Sequence, residues 1–286
     1  MKFSNPRQFL HRQRARLHIR FVHGPASQFV FEFISFGFKQ AWACLFGGLM
    51  VVLLLGTYFF YPDDVWLARY DFITLTAVLI QAVLLLTRLE TWEEARIILV
   101  FHVVGTVMEI FKTHMGSWVY PEPSVLQIMG VPLFSGFMYA AVGSYIARVW
   151  RIFDFRFDRF PAMKWQALLA GLAYVNFFAH HYIVDIRWAL FAGAAVLYTP
   201  SIIWFKADEE HRPMPLIIGL FLVALFIWFA ENFGTFARAW SYPGQEGQWH
   251  MVSPAKLGSW FLLMLISFVL VAWVHRPVRG LGVRGN

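Results

Sequence analysis

Long apolar runs constrain this chain more than any other feature. Residues 40–61 contain no charged side chain, and 214–234 and 256–275 carry charge only near their ends. A helix needs about 20 mostly apolar residues to cross the hydrocarbon of a bilayer. Eight segments meet that pattern in whole or in part: 40–61, 70–87, 95–112, 133–150, 165–184, 188–205, 214–234 and 256–275. Composition removes the alternative of a soluble domain. The chain is 59% hydrophobic and 14% charged over 286 residues, more apolar surface than one soluble core of this size can hide. The same figures exclude disordered and disulfide-stapled classes. The expected fold class is therefore an all-α integral membrane protein of eight transmembrane helices.

The positions of Lys and Arg set the expected orientation, because positively charged loops stay cytoplasmic. With eight spans both termini share a side, and nineteen of the 24 basic residues fall on it. This layout accounts for the net charge of +7 without a nucleic-acid partner, since no basic block tracks phosphates. The first long apolar run starts too late for a signal peptide, so the expected location is the bacterial inner membrane, in a multi-pass arrangement. Residues 7–37 mix Arg and His with Phe, Leu and Ile and read either as an interfacial helix or as a frayed basic tail. Cys44, the single cysteine, sits in an apolar run and is expected to be a small buried hydrophobe.

An internal repeat divides the chain. At an offset of 122 residues, Glu109–Pro121 aligns with Glu231–Pro243, and Glu, Phe, Thr, Trp, Tyr and Pro match in six of thirteen positions. Between residues 63 and 136 the ungapped alignment holds 13 identities in 74 positions. Spans 1–4 and 5–8 then read as two copies of one four-helix unit in parallel orientation, a 4+4 internal repeat. The expected organisation is a basic interfacial segment (1–39), repeat one (40–150), a cytoplasmic linker (151–164), repeat two (165–275) and a basic tail (276–286).

Ionisable groups at membrane depth are expensive, so their positions carry information. The expected catalytic set is Glu109, Glu231, His180 and His114. The expected substrate-binding set is Asn176, Asn232, His181, Asp185, Lys112, Trp118, Tyr120, Trp240 and Tyr242. Together these residues suggest one shared polar cavity open outward. Glu109 with Lys112, and His181 with Asp185, could instead form buried pairs. The Trp and Tyr residues could instead belong to an interfacial aromatic belt. No His-x-x-x-His or Glu-x-x-His pair appears on one helix, so no metal is expected, and the sequence names no cofactor. The expected partners are membrane lipid and a hydrophobic small molecule, with the oligomeric state left open.

The stretches Leu89–Glu94, Met108–Pro121, Gly130–Tyr139, Asn176–His181, Asp185–Trp188 and Ala230–Asn232 resemble a bacterial family of multi-pass membrane proteins of unknown function. The pattern Glu109…Thr113…Gly116-x-Trp118-x-Tyr120…Gly130-Val131-Pro132 looks like that of membrane-embedded carotenoid hydratases and heterodimer-type lycopene cyclases. The cyclases place a Glu pair after this Pro. Here Leu133 and Phe134 follow Pro132, and Ala255 and Lys256 follow Pro254. By that resemblance, Glu109 and Glu231 are the acids left to protonate an alkene. Three functions compete on the sequence: acid–base chemistry on a lipid or isoprenoid, small-solute or proton-coupled transport, and a structural or partner-binding role.

Overall fold

The computed structural model describes residues 21–62, 64–245, 247–275 and 278–279. Most of the basic N-terminal segment and of the tail lies outside the described residues, as do Asp63 and Glu246. Among the described residues the protein is mostly helical, with two small sheets. Helices α1 (Pro25–Ala43), α2 (Leu45–Phe60), α3 (Arg69–Leu86) and α4 (Trp92–His114) lead to a short hairpin of β1 (Gln127–Ile128) and β2 (Val131–Pro132). Then follow α5 (Phe134–Ile152), β3 (Arg156–Asp158), α6 (Met163–Ala179) and α7 (Arg187–Tyr198). The chain ends with β4 (Ile202–Lys206), β5 (His211–Pro215), α8 (Leu216–Phe236), α9 (Ala255–His275) and β6 (Val278–Arg279).

Each of the eight apolar segments contains helix, but they are not alike. Among the described residues, three helices are long and apolar enough to cross a membrane: α3, α8 and α9, with mean hydropathies of 1.6, 2.2 and 2.3. A fourth is reached if α1 and α2, bent by 68° at Cys44, count as one broken span. α4 carries Glu93, Glu94, Arg96, Glu109 and Lys112 along its length, and α6 and α7 are short. These helices turn large apolar side chains outward, as Phe226, 70% exposed, does on α8. Such surface on a folded chain marks contact with something apolar.

Three expectations are corrected here. The segment 188–205 is not one helix. α7 stops at Tyr198, where Thr199-Pro200 interrupts it, and Ile202–Lys206 becomes β4. Twelve helical residues reach only about 18 Å, short of a bilayer core. As a result, the ungapped repeat pairs residues 80–84 of α3 with a strand and fails there as a structural match. Cys44 is exposed rather than buried, because the chain turns away from α2 at that residue. Arg148, counted among the nineteen basic residues on the cytoplasmic side, lies fully buried in α5 and forms an ion pair with Glu90 at 2.9 Å. Ser144 and Gln81 donate to the same carboxylate.

The larger sheet runs in the order β5-β4-β3-β6, antiparallel except between β3 and β6. It closes one end of the bundle, and α1 is fastened to it. Lys39 Nζ donates to the Lys206 carbonyl at 2.6 Å, and Arg212 donates to Glu32. α4 starts near this end with a capping box, in which Glu94 N–H donates to Thr91 Oγ1 and Thr91 N–H donates to Glu94. α4 then runs to the opposite end of the bundle, where the site lies.

Candidate functional site

The site is built by two turns of the same design. α4 ends at His114, and Gly116 takes a left-handed conformation with φ of +67°. Its N–H donates to the Thr113 carbonyl and that of Ser117 to the Lys112 carbonyl. Glycine adopts this conformation without a Cβ clash, so it is the usual residue for this helix stop. α8 ends in the same way, but with Arg238 at φ +51° in the equivalent position. There Arg238 N–H donates to Thr235 and Ala239 N–H to Gly234. Both turns reverse the chain over the last turn of the helix just left.

Each reversal brings a Trp and a Tyr back to the glutamate. Trp118 Nε1 and Tyr120 Oη both donate to Glu109 Oε2 at 2.6 Å. Tyr139, on α5, donates to Glu109 Oε1 at 2.7 Å. At the second glutamate Trp240 Nε1 donates to Glu231 Oε1 at 3.2 Å, and the Tyr242 hydroxyl donates to the same oxygen. Trp260 of α9 lines the same wall. Both carboxyl groups are buried. The two loops then join: Val119 and Ser241 exchange N–H···O bonds of 2.9 Å in both directions. At the offset of 122 these two residues are equivalent positions.

One basic side chain stands against these rings. Lys256, 122 residues after Phe134, places Nζ 4.2 Å from the centre of the Tyr242 ring and 4.9 Å from that of Trp118. These rings face the ammonium while their N–H and O–H groups reach the carboxylates. They form a layer between the Lys and the two Glu residues.

The glutamates stand on the wall of a cavity of about 680 Å³. It runs between α1, α2, α5, α8 and α9 to Ile203 and Phe205 of the sheet. The expected cavity was polar, but this one is lined almost throughout by apolar side chains. Among the described residues, Glu109 and Glu231 are the only ionisable acids or bases on its wall apart from the Cys44 thiol and the tyrosines. Trp118, Tyr120, Tyr139, Trp240, Tyr242 and Trp260 surround them, and Phe33 and Phe226, both exposed, mark a sideways mouth.

The remaining expected residues lie off this wall. Lys112, 5% exposed, sits against His180 Nε2 at 3.3 Å, His181 Nε2 at 2.9 Å and the Phe177 ring at 4.4 Å. It therefore does not pair with Glu109. Asn176 donates to Asp185 and accepts from Ile186 N–H, while His180 Nδ1 bonds the Asn176 carbonyl. This set fastens the α6–α7 loop. Asp185 bonds Asn176 and Arg187 rather than His181. Burial works against the Asp185 carboxylate, but hydrogen bonds from Asn176 and Arg187 hold its pKa below the usual carboxylate value. Asn232 accepts from Val252 N–H at 2.8 Å and anchors the segment before α9. His114 is exposed at the end of α4, apart from the glutamates. Among the described residues, no three of His, Cys, Asp and Glu are grouped to hold a metal ion.

Sequence reasoning missed Tyr139, Trp260 and Lys256 as members of the site. Tyr139 and Trp260 lie inside apolar helices, where an aromatic residue reads as packing. Lys256 follows a Pro at the start of α9, where a basic residue reads as an interface anchor.

These features define a class: a mostly helical protein with three or four candidate membrane-crossing spans and a carboxyl pair on an apolar cavity. Within it, the chain belongs to the family described as "Protein of unknown function (DUF817)", which it matches over residues 32–268. It is similar to the "Uncharacterized protein YoaT" of Bacillus subtilis, 39% identical over 241 residues, covering 84% of this chain and 90% of that protein. No solved structure matches the chain.

Proposed function

We propose that this is a multi-pass protein of the bacterial cell membrane that holds an apolar chain, a lipid or an isoprenoid, with its reacting end at Glu109 and Glu231. One observation carries this reading: a cavity of about 680 Å³ whose apolar wall presents those two carboxyl groups at one end. The volume lies within the roughly 300–1,000 Å³ of small-molecule sites. The mouth between α1 and α8 opens sideways, where a chain in the bilayer would enter. Acid–base work suits a carboxyl group in such surroundings, and the likeness to membrane-embedded carotenoid enzymes points to the same chemistry. No second acid follows Pro132 or Pro254, so the chemistry would rest on Glu109 and Glu231 alone.

In this reading α2–α5 and α6–α9 are two related units, with both termini cytoplasmic and the glutamates at the outer end. The offset of 122 places α4 on α8 and α5 on α9 within two residues at each end, which supports the pairing. The sheet end carries Arg151, Arg156, Arg159, Lys206 and Arg212, in keeping with a cytoplasmic side.

Cys44 tests the reading, because it lines the cavity and is the single cysteine. Membranes are labelled with a maleimide before and after extraction of bound lipid, and the extract is analysed by mass spectrometry. Occupied protein should label at least tenfold more slowly, and Glu109→Gln should change the composition of the extracted lipid. Equal labelling rates, with no lipid enriched over a control membrane protein, would sink the proposal.

A further inference from the structure

The carboxyl end of the cavity has a composition that selects for charge. Two carboxyl groups and six aromatic side chains line it, and among the described residues no Lys, Arg or His stands on the cavity wall. Among the described residues, four cations near this end stand behind that wall and are engaged there, and one of them, Arg69, is bound by Glu122 and the Ala237 carbonyl. Lys256 lies over the rings of Trp118 and Tyr242. Lys112 is held by His180, His181 and the Phe177 ring. Arg187 is paired with Asp185. Lys256 can offset one of the two carboxylates. The other meets only indole N–H and phenol O–H donors and, beyond them, apolar space.

Aromatic rings together with a negative charge, shielded from water, attract a poorly hydrated cation. The apolar length of the cavity selects hydrophobic bulk attached to it. We propose that the cavity binds an apolar ligand bearing a single positive charge, seated between the six aromatic side chains against Glu109 and Glu231. The inference deepens the proposed function and rests on it, because it names the charge of the occupant of the same cavity.

The test uses full-length protein in nanodiscs, with empty nanodiscs as the reference, and three probes of similar shape. These are tetraphenylphosphonium (cation), triphenylphosphine oxide (neutral) and tetraphenylborate (anion). Equilibrium dialysis should show saturable binding of tetraphenylphosphonium, at least tenfold tighter than the neutral probe and tighter still than the anion. Glu109→Gln and Glu231→Gln should each weaken the cation about tenfold and leave the neutral probe unchanged. Lys256→Met, which removes the offsetting charge from behind the rings, should tighten the cation several-fold. This variant keeps the proposal testable if the Glu variants do not fold. Equal binding of cation and neutral probe, or a Lys256→Met affinity for the cation that stays the same or falls, would overturn the inference and leave the apolar cavity standing. Saturable binding of none of the probes would remove the inference and the cavity reading together.

Discussion

Glu109 shows how much one side chain can organise. It accepts from Trp118 and Tyr120 in the loop and Tyr139 on α5, so three separate pieces of chain take their positions from one carboxyl group. Removing an acceptor leaves buried donors unsatisfied, at about 1–3 kcal/mol for each group. Glu109→Gln keeps one carbonyl acceptor and should lower stability by about 1 kcal/mol. Glu109→Leu orphans all three donors and should cost at least about 3 kcal/mol, read as a fall in the thermal midpoint of the purified protein. Equal stability of the two variants would show that the aromatic residues hold their places by packing alone. Arg148 makes the same argument at the other end of α5. Both it and Glu90 are 0% exposed, so Arg148→Met, which strands the carboxylate, should cost about 3–5 kcal/mol. Changing Glu90 to Leu in the same chain should recover most of that loss, since an apolar pair can replace a buried ion pair.

Elements were legible from sequence where hydropathy and turn chemistry agreed. α8 and α9 match their apolar runs to within two residues at each end. The Glu-Trp-Tyr motif was legible because it occurs twice at one spacing. α7 was not, because apolar content alone does not separate a helix from a buried strand, and Ile202-Ile203-Trp204-Phe205 suits a strand equally well. The histidines drew attention through their rarity at membrane depth, yet they serve Lys112 and the α6–α7 loop rather than the cavity. The bend at Cys44 carried no sequence signal, since no Pro or Gly stands at the break itself. The turn after α8 offers a direct check on element design. Arg238 occupies the left-handed position that its counterpart fills with Gly116, and a non-glycine residue pays about 1–2 kcal/mol there. Its carbonyl, not its side chain, receives Arg69 and Tyr70. Arg238→Gly should therefore leave the site intact and raise stability by about 1 kcal/mol, read from the thermal midpoint. A loss of stability would mean that the guanidinium carries an interaction of its own.

At the scale of the whole molecule, the two carboxyl groups form one site only if the two halves of the chain stay in register. The described contact that joins equivalent positions is the reciprocal bond between Val119 and Ser241. A hydrogen-bonded antiparallel pair places its Cα atoms about 5.5 Å apart, inside the range a disulfide can span. Paired Val119→Cys and Ser241→Cys, in a Cys44→Ser background, should therefore crosslink under mild oxidation. The bond would close a loop of more than 100 residues, and chain entropy then predicts a gain of up to about 4–5 kcal/mol. A single cut in the connection between β3 and α6 should leave the two halves joined on a non-reducing gel and separate them on reduction. The crosslinked protein should also keep the cavity chemistry of its parent, because the bond fixes a geometry that the fold already holds. If the crosslink forms but the lipid composition shifts as it does in Glu109→Gln, then the loops must move apart during function. The register of the halves would in that case be a variable of the mechanism rather than its frame.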